Sequence, residues 1–142
     1  MKLAEVIEQR KSIREYKDKP VAGHLIEQIV KLAKRAPSAG AVRGYKVVVT
    51  DQQLVPYKAP VYFVVFAVPE KYGKRYGQRG RDLYAVQDAT LVAGYIQLAA
   101  VSVGLDTVWV GAFNEGKVRT ALDLPIEYRP IAVLPTGYRL NG

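Results

Sequence analysis

Arg10, Ser12 and Arg14 stand at alternate positions of the chain. On an extended or turning backbone that spacing brings a guanidinium, a hydroxyl and a second guanidinium to one side. Such a trio suits a phosphate and an electron-rich ring edge, each charge-assisted hydrogen bond contributing about 1.5–3 kcal/mol. The run also has a plainer reading, because cations at the end of a helix complement its dipole and lie in water.

A second segment, Ala36-Pro37-Ser38-Ala39-Gly40-Ala41, follows the next helical stretch. Pro37 stops that helix and Gly40 supplies positive φ, an ordinary turn composition on its own. A third segment, Val108-Trp109-Val110-Gly111-Ala112-Phe113, completes the set. The order and conjunction of the three suggest a site for a phosphorylated ring cofactor such as a flavin.

Other side chains offer little chemistry. There is no Cys and one His, so no disulfide framework or thiolate metal site exists, and no carboxylate cluster suggests a metal centre. His24 reads as a surface or capping residue at a helix start, and Trp109 as a core aromatic that could line the site. No side chain is assigned as a catalytic acid, base or nucleophile.

The positioning elements follow from periodicity. Leu3, Val6 and Ile7 form one helix face, and Leu25, Ile29, Leu32, Ala33 and Ala36 a second. Tyr45 to Thr50 and Val61 to Val68 read as strands, the latter an apolar run suited to burial on both faces. Asp82 to Val103 reads as a long helix ended by Gly104, with Ala85, Ala89, Ala93, Ala99 and Ala100 permitting close approach by another helix, such as one from a second subunit. Thr107 to Val110 is a short strand, Asn114 caps a helix through Leu122, and Ile131 to Leu134 is a last strand core. Gln52 to Tyr57 and Glu70 to Arg81 read as exposed loops. With 142 residues and 49% hydrophobic content, the expectation is a single domain over 1–142. The uncharged run from Ala89 to Leu105 is too short and Ala-rich for a spanning helix. With no secretory signal pattern at the N-terminus, a cytoplasmic location is expected.

The motifs in order resemble the nitroreductase family of FMN-dependent oxidoreductases. They are Arg10-Lys11-Ser12-Ile13-Arg14-Glu15-Tyr16, Ala36 to Ala41, Gln87-Asp88-Ala89, Gly104-Leu105, Trp109 to Phe113, Leu122-Asp123-Leu124-Pro125 and Pro135-Thr136-Gly137-Tyr138. The chain looks like a short member, and its Pro-Ser-Ala-Gly-Ala wording is similar to the thiazoline/oxazoline dehydrogenase branch.

The resemblance implies an α+β nitroreductase-like fold, a central mostly antiparallel sheet flanked by helices, with a long central helix at a homodimer interface. It implies FMN as cofactor and NADH or NADPH as electron donor. Hydride would pass through flavin N5 to a small organic acceptor, nitroaromatic or quinone-like, by a ping-pong mechanism. Arg10 and Ser12 would meet phosphate and ribityl, Lys11 would act mainly through backbone, and Arg14 would face the N1/O2 edge, where a fixed cation stabilises the charge gained on reduction. Pro37, Ser38, Ala39 and Gly40 would reach the flavin of the partner subunit, while Val110, Gly111 and Ala112 would place a backbone N–H near N5. The chain departs from the family pattern at Ala41-Val42-Arg43-Gly44-Tyr45, and Arg139 is the candidate replacement for a cation that relatives supply from a C-terminal extension. The short stretch from Val68 to Leu83 implies no large lid.

A rival reading rests on Lys71, Lys74, Arg75, Arg79 and Arg81 interleaved with Tyr72, Tyr76 and Tyr84, on a chain of net charge +8 and pI 9.7. Basic and aromatic residues in alternation hold single-stranded nucleic acid. The resemblance argues against a nucleic-acid partner, and a flavin-binding protein without catalysis is the remaining alternative.

Overall fold

A computed structural model describes residues 1–141. In chain order the elements are α1 (Leu3–Gln9), α2 (Gly23–Ala33), a 3-10 turn (Ala39–Ala41), β1 (Tyr45–Thr50), β2 (Val61–Ala67), α3 (Glu70–Arg79), a π-helical turn (Gly80–Tyr84), α4 (Ala85–Ser102), β3 (Asp106–Thr107), α5 (Glu115–Ala121) and β4 (Arg129–Gly137).

The architecture is organised by β2, in which every residue is buried. Its β-branched and aromatic run has no polar face, so both sides must be covered. β1 and β4 flank it, giving an antiparallel sheet of order β1-β2-β4-β3. Val61, Phe63, Val65 and Ala67 face one core layer with Ile29, Ala33, Val92 and Ile96 of α2 and α4. Tyr62, Val64 and Phe66 face the other, with Val108, Val118 and Val133. The β2–β4 register shifts between Val65 and Phe66, where Ile131 is skipped beside Pro130. A proline, lacking an N–H, fits at such a bulge.

The strands expected over 45–50, 61–68 and 131–134, the Asn114 cap and the Gly104 stop are present, whereas the strand expected over Thr107 to Val110 reduces to β3 and a single bridge from Val110 to Val133. Asn114 Oδ1 accepts from the Lys117 N–H at 2.9 Å. Gly104 takes φ +89°, and the Gly104 and Leu105 N–H groups donate to the Val101 and Ala100 carbonyls, a Schellman ending.

Two further expectations are corrected. Glu70–Arg79 is helical rather than a loop, with a kink at Gly77, whose φ is +60° and ψ −147°, and its π-helical continuation moves the start of α4 to Ala85. The glycines of this stretch look like turn signals, yet Gly73 and Gly80 lie buried against Arg81 and Tyr76. The small residues of α4 also serve the subunit itself: Ala85, Ala89, Ala93, Ala99 and Ala100 are buried in its own core. Their size lets α4 lie close to the sheet and α2, and it is Leu91 and Tyr95 that α4 leaves exposed. No helix among the described residues is long and apolar enough to cross a membrane.

Candidate functional site

The first motif follows directly from the end of α1. Arg10 ends the helix in an extended conformation, its N–H donating to the Val6 carbonyl. Ser12 then pairs in parallel with Thr107, and Tyr16 antiparallel with Arg139. The Ile13 N–H donates to the Thr107 carbonyl at 3.1 Å, and the Lys17 N–H to the Tyr138 carbonyl at 2.8 Å. The Tyr16 hydroxyl donates back to the Ile13 carbonyl. Burial, and then the nearby Asp106 carboxylate, hold that phenol well above its ordinary pKa, so it stays a donor. The extended backbone expected from the spacing is therefore stitched to the β3 edge of the sheet.

Lys11, Ser12 and Arg14 line an open cavity of about 320 Å³ together with Arg139. Arg10, half-buried at the helix exit, is not among the lining residues. Among the described residues, Arg10, Lys11, Ser12 and Arg14 form no side-chain hydrogen bond or ion pair. Arg139 differs, because its guanidinium is bound two-pronged to Asp106.

The third motif lies on the same edge. Val110 exchanges both backbone hydrogen bonds with Val133, each 3.0 Å, and its side chain is buried in the core. Its N–H is thereby committed, which leaves Gly111 and Ala112, both exposed, as the residues that can offer an N–H to a ligand. From Thr107, opposite Ser12, to Gly111 the chain advances four residues, at most about 13 Å.

The second motif stands apart. Pro37, Ser38 and Ala39 line a different cavity, of about 570 Å³, with Tyr84, Gln87 and Asp88. Ser38 and Ala39 are anchored by Asp88, which is buried on α4 at 4% exposure. The Ser38 hydroxyl donates to Asp88 Oδ2 at 2.6 Å and the Ala39 N–H at 3.1 Å, while the Tyr72 hydroxyl donates at 2.6 Å. Burial, then the bond to Asp88, pushes the Tyr72 phenol well above its ordinary pKa. Gly40 is covered by Arg75 and Tyr76, whose atoms a Cβ would meet at 2.4 and 2.3 Å. The Arg75 guanidinium donates to its carbonyl at 2.9 Å. Gly40, Ala41 and Arg43 have φ of +54°, +56° and +51°. For the two non-glycine residues this costs of order 1–3 kcal/mol each. Asp88 and Ser102 are fourteen residue steps apart on α4, about 21 Å of axis, and β3 begins just beyond. One subunit thus unites the first and third motifs and holds the second near the other end of α4.

Asp88 shapes the second motif, a role that the sequence, where it stands only as part of Gln87-Asp88-Ala89, did not assign. Its signal was a carboxylate on the same helix stripe as Ala85, Ala89 and Val92. His24 is exposed on α2 and Trp109 half-buried against the core. The rival nucleic-acid reading loses its aromatics: Tyr72 is fully buried, and Tyr76 and Tyr84 stack edge to face at 5.1 Å.

Uncommitted cations and a hydroxyl at one point of a sheet edge, with exposed peptide N–H groups further along it, fit a phosphorylated ring cofactor in both charge and donor set. The fold and this edge define an α+β protein with an anion-accepting sheet edge. The chain belongs to the nitroreductase family, whose sequence model matches residues 7–57 and 51–138, and so to the oxidoreductases. It is 32% identical over 156 aligned positions to a Methanothermobacter thermautotrophicus protein provisionally named NADH dehydrogenase/NAD(P)H nitroreductase, covering 97% of this chain and 78% of that one. A nitroreductase family protein from Clostridium novyi NT superposes with a TM-score of 0.87 at 28% identity, covering 99% of this chain and 87% of that one. An FMN-dependent nitroreductase from Clostridium difficile R20291 gives 0.82 at 26% identity, with 96% and 87% covered.

Proposed function

We propose that the protein is an FMN-dependent oxidoreductase that carries electrons from NADH or NADPH to a small nitroaromatic or quinone-like acceptor, working as a homodimer. The observation that carries this reading is the β3 edge, where Lys11, Ser12 and Arg14 line one cavity with no internal partners. Bound FMN would supply the hydride and electron transfer itself. The chain's residues bind and orient. Lys11 and Ser12 hold the phosphate and ribityl from the cavity lining, Arg10 adds its charge from the end of α1 outside that lining, Arg14 sets a fixed cation at the N1/O2 edge, and Gly111 or Ala112 offers an N–H toward N5. Val110 shapes that segment through its pairing with Val133. An open face used in turn by donor and acceptor makes turnover ping-pong. The family membership and the FMN-dependent relative support this reading.

The dimer completes the site. Leu3, Ile7, Leu32 and Tyr95 line one groove across α1, α2 and α4 and are exposed together with Leu91. An apolar face of this kind is an interface in waiting. Covering it with a second copy would let the Pro37, Ser38, Ala39 and Gly40 loop of one subunit serve the edge of the other.

The test is an absorption spectrum of purified protein before and after FMN, then with NADH or NADPH under anaerobic conditions. Bands near ~370 and ~450 nm that bleach with nicotinamide are expected of a working flavin. Binding without bleaching would make the protein a flavin carrier or sensor, and no binding would overturn the reading.

A further inference from the structure

Asp88 is a buried acid with no ion-pair partner among the described residues. Its three neighbours are neutral donors, the Ser38 hydroxyl, the Ala39 N–H and the Tyr72 hydroxyl. A carboxylate has only acceptors, so each of these groups must spend its proton on Asp88. That fixes the direction of two hydrogen-bonded chains. The Arg43 N–H donates to Ser38 Oγ at 2.8 Å, and Ser38 donates on to Asp88. The Gly44 N–H donates to the Tyr72 hydroxyl at 3.0 Å, and Tyr72 donates on to the same oxygen of Asp88.

One carboxylate therefore gathers both ends of the 38–44 turn. The enclosed residues include the left-handed Ala41 and Arg43, a conformation that persists only where its surroundings over-determine it. Gly44 is part of the same design, since a Cβ there would sit 2.3 Å from the Tyr72 ring. Strained backbone held by a buried polar network is costly for a purely structural turn, and such strain collects at binding sites.

We propose that Asp88 is a positioning residue of the redox site, its carboxylate holding the strained 38–44 turn in the conformation that meets FMN. This rests on the flavin reading above. Because Ser38 donates to Asp88 and accepts from Arg43, its hydroxyl acts by shaping the turn. The part of the loop offered to the ligand is the surface of Pro37, Ser38 and Ala39 that lines the cavity.

Asp88→Asn keeps the shape and replaces one acceptor by a donor, which reverses part of the network. Val64→Ala opens a small cavity in the core layer on the other face of the sheet, away from Asp88 and the turn, so it controls for general loss of stability. FMN dissociation constants are measured on apo-protein by quenching of flavin fluorescence, alongside thermal unfolding of the same apo-proteins. The expected result is a Kd raised at least about tenfold in D88N and within about threefold in V64A, although both lose thermal stability. Equal FMN affinity in D88N and wild type would overturn the proposal, and so would Kd changes that merely follow the stability losses of the two variants. Should D88N not fold, Ser38→Ala carries the test through amide exchange: faster exchange at Ala39 and Arg43 with unchanged FMN affinity would overturn it. Wild type that binds no FMN refutes the flavin reading itself, a result separate from these.

Discussion

Arg139 and Asp106 form a two-pronged ion pair, Nε and Nη2 each 2.8 Å from a different carboxylate oxygen. The pair ties the chain beyond β4 to the start of β3, and the Tyr16–Arg139 bridge ties both to the first motif. It also raises the Arg139 pKa, so the guanidinium stays charged but is neutralised locally. The cavity's unpaired cations are then Lys11 and Arg14, with the Glu15 carboxylate beside them in the lining.

Removing either partner of this pair has different consequences. Arg139→Ala leaves the nearly buried Asp106 without its charged partner and should lower unfolding free energy by about 1.5–3 kcal/mol, with weaker FMN binding. Asp106→Asn releases the Arg139 charge into the cavity and should strengthen FMN binding at low salt. Denaturant unfolding and FMN titration check both, and movement of the two affinities in the same direction would refute the assignment.

Arg14 and Arg10 separate electronic from binding roles. Arg14 lines the cavity, so Arg14→Ala should slow cofactor bleaching by NADH or NADPH in stopped flow more than it weakens FMN binding. Arg10 is half-buried at the end of α1, and Arg10→Ala should raise the FMN dissociation constant by the equivalent of about 1.5–3 kcal/mol if one charged bond is lost. Unchanged bleaching rates in the first variant, or unchanged affinity in the second, would remove that residue from its role.

Local patterns carried much of this structure in plain sight. The apolar run of β2, the Asn114 cap and the Gly104 stop depend on a few neighbouring residues, so sequence displays them directly. The alternation of Arg10, Ser12 and Arg14 foretold an extended segment for the same reason. What escaped depends on distant partners. Asp88 matters because Ser38 and Tyr72, 50 and 16 residues away, converge on it. Glu70–Arg79 is helical on either side of Gly77 because Gly73 is buried under Arg81, and only Gly77, open and at φ +60°, behaves as the turn residue its type suggests. The alanines of α4 pointed to close packing, but only the fold shows that α2 and the sheet already occupy that face.

Buried phenols set the alkaline limit. Burial raises the pKa of Tyr16 and Tyr72 above the ordinary 10.0, and Tyr45 and Tyr62 are raised too. Protonated phenol is thus favoured in the folded state. Their stabilisation is fully present below pH 10 and is lost as pH climbs toward the folded values, because the unfolded chain releases those protons first. Stability should fall above about pH 10 by up to about 1.4 kcal/mol per pH unit for each such tyrosine. Tyr16→Phe and Tyr72→Phe should each flatten the decline, as read from denaturant midpoints at a series of pH values. A slope unchanged in both variants would show that other groups govern alkaline unfolding.

The apolar face of α1, α2 and α4 gives the proposed dimer its most direct test. Tyr95 and Leu91 are 39% and 41% exposed, and α4 turns both away from its own core. A charge at either position would be solvated in a monomer and buried without a partner at an interface, where its desolvation costs several kcal/mol. Tyr95→Asp should therefore shift the mass measured by light scattering from two chains to one while leaving the subunit folded by circular dichroism. Because the 37–40 loop and the β3 edge sit at opposite ends of α4, a site shared between subunits should lose FMN affinity in the same variant, by at least about tenfold. A monomer that kept full affinity would show that the edge of one subunit suffices, and a variant that remained dimeric would place the interface elsewhere.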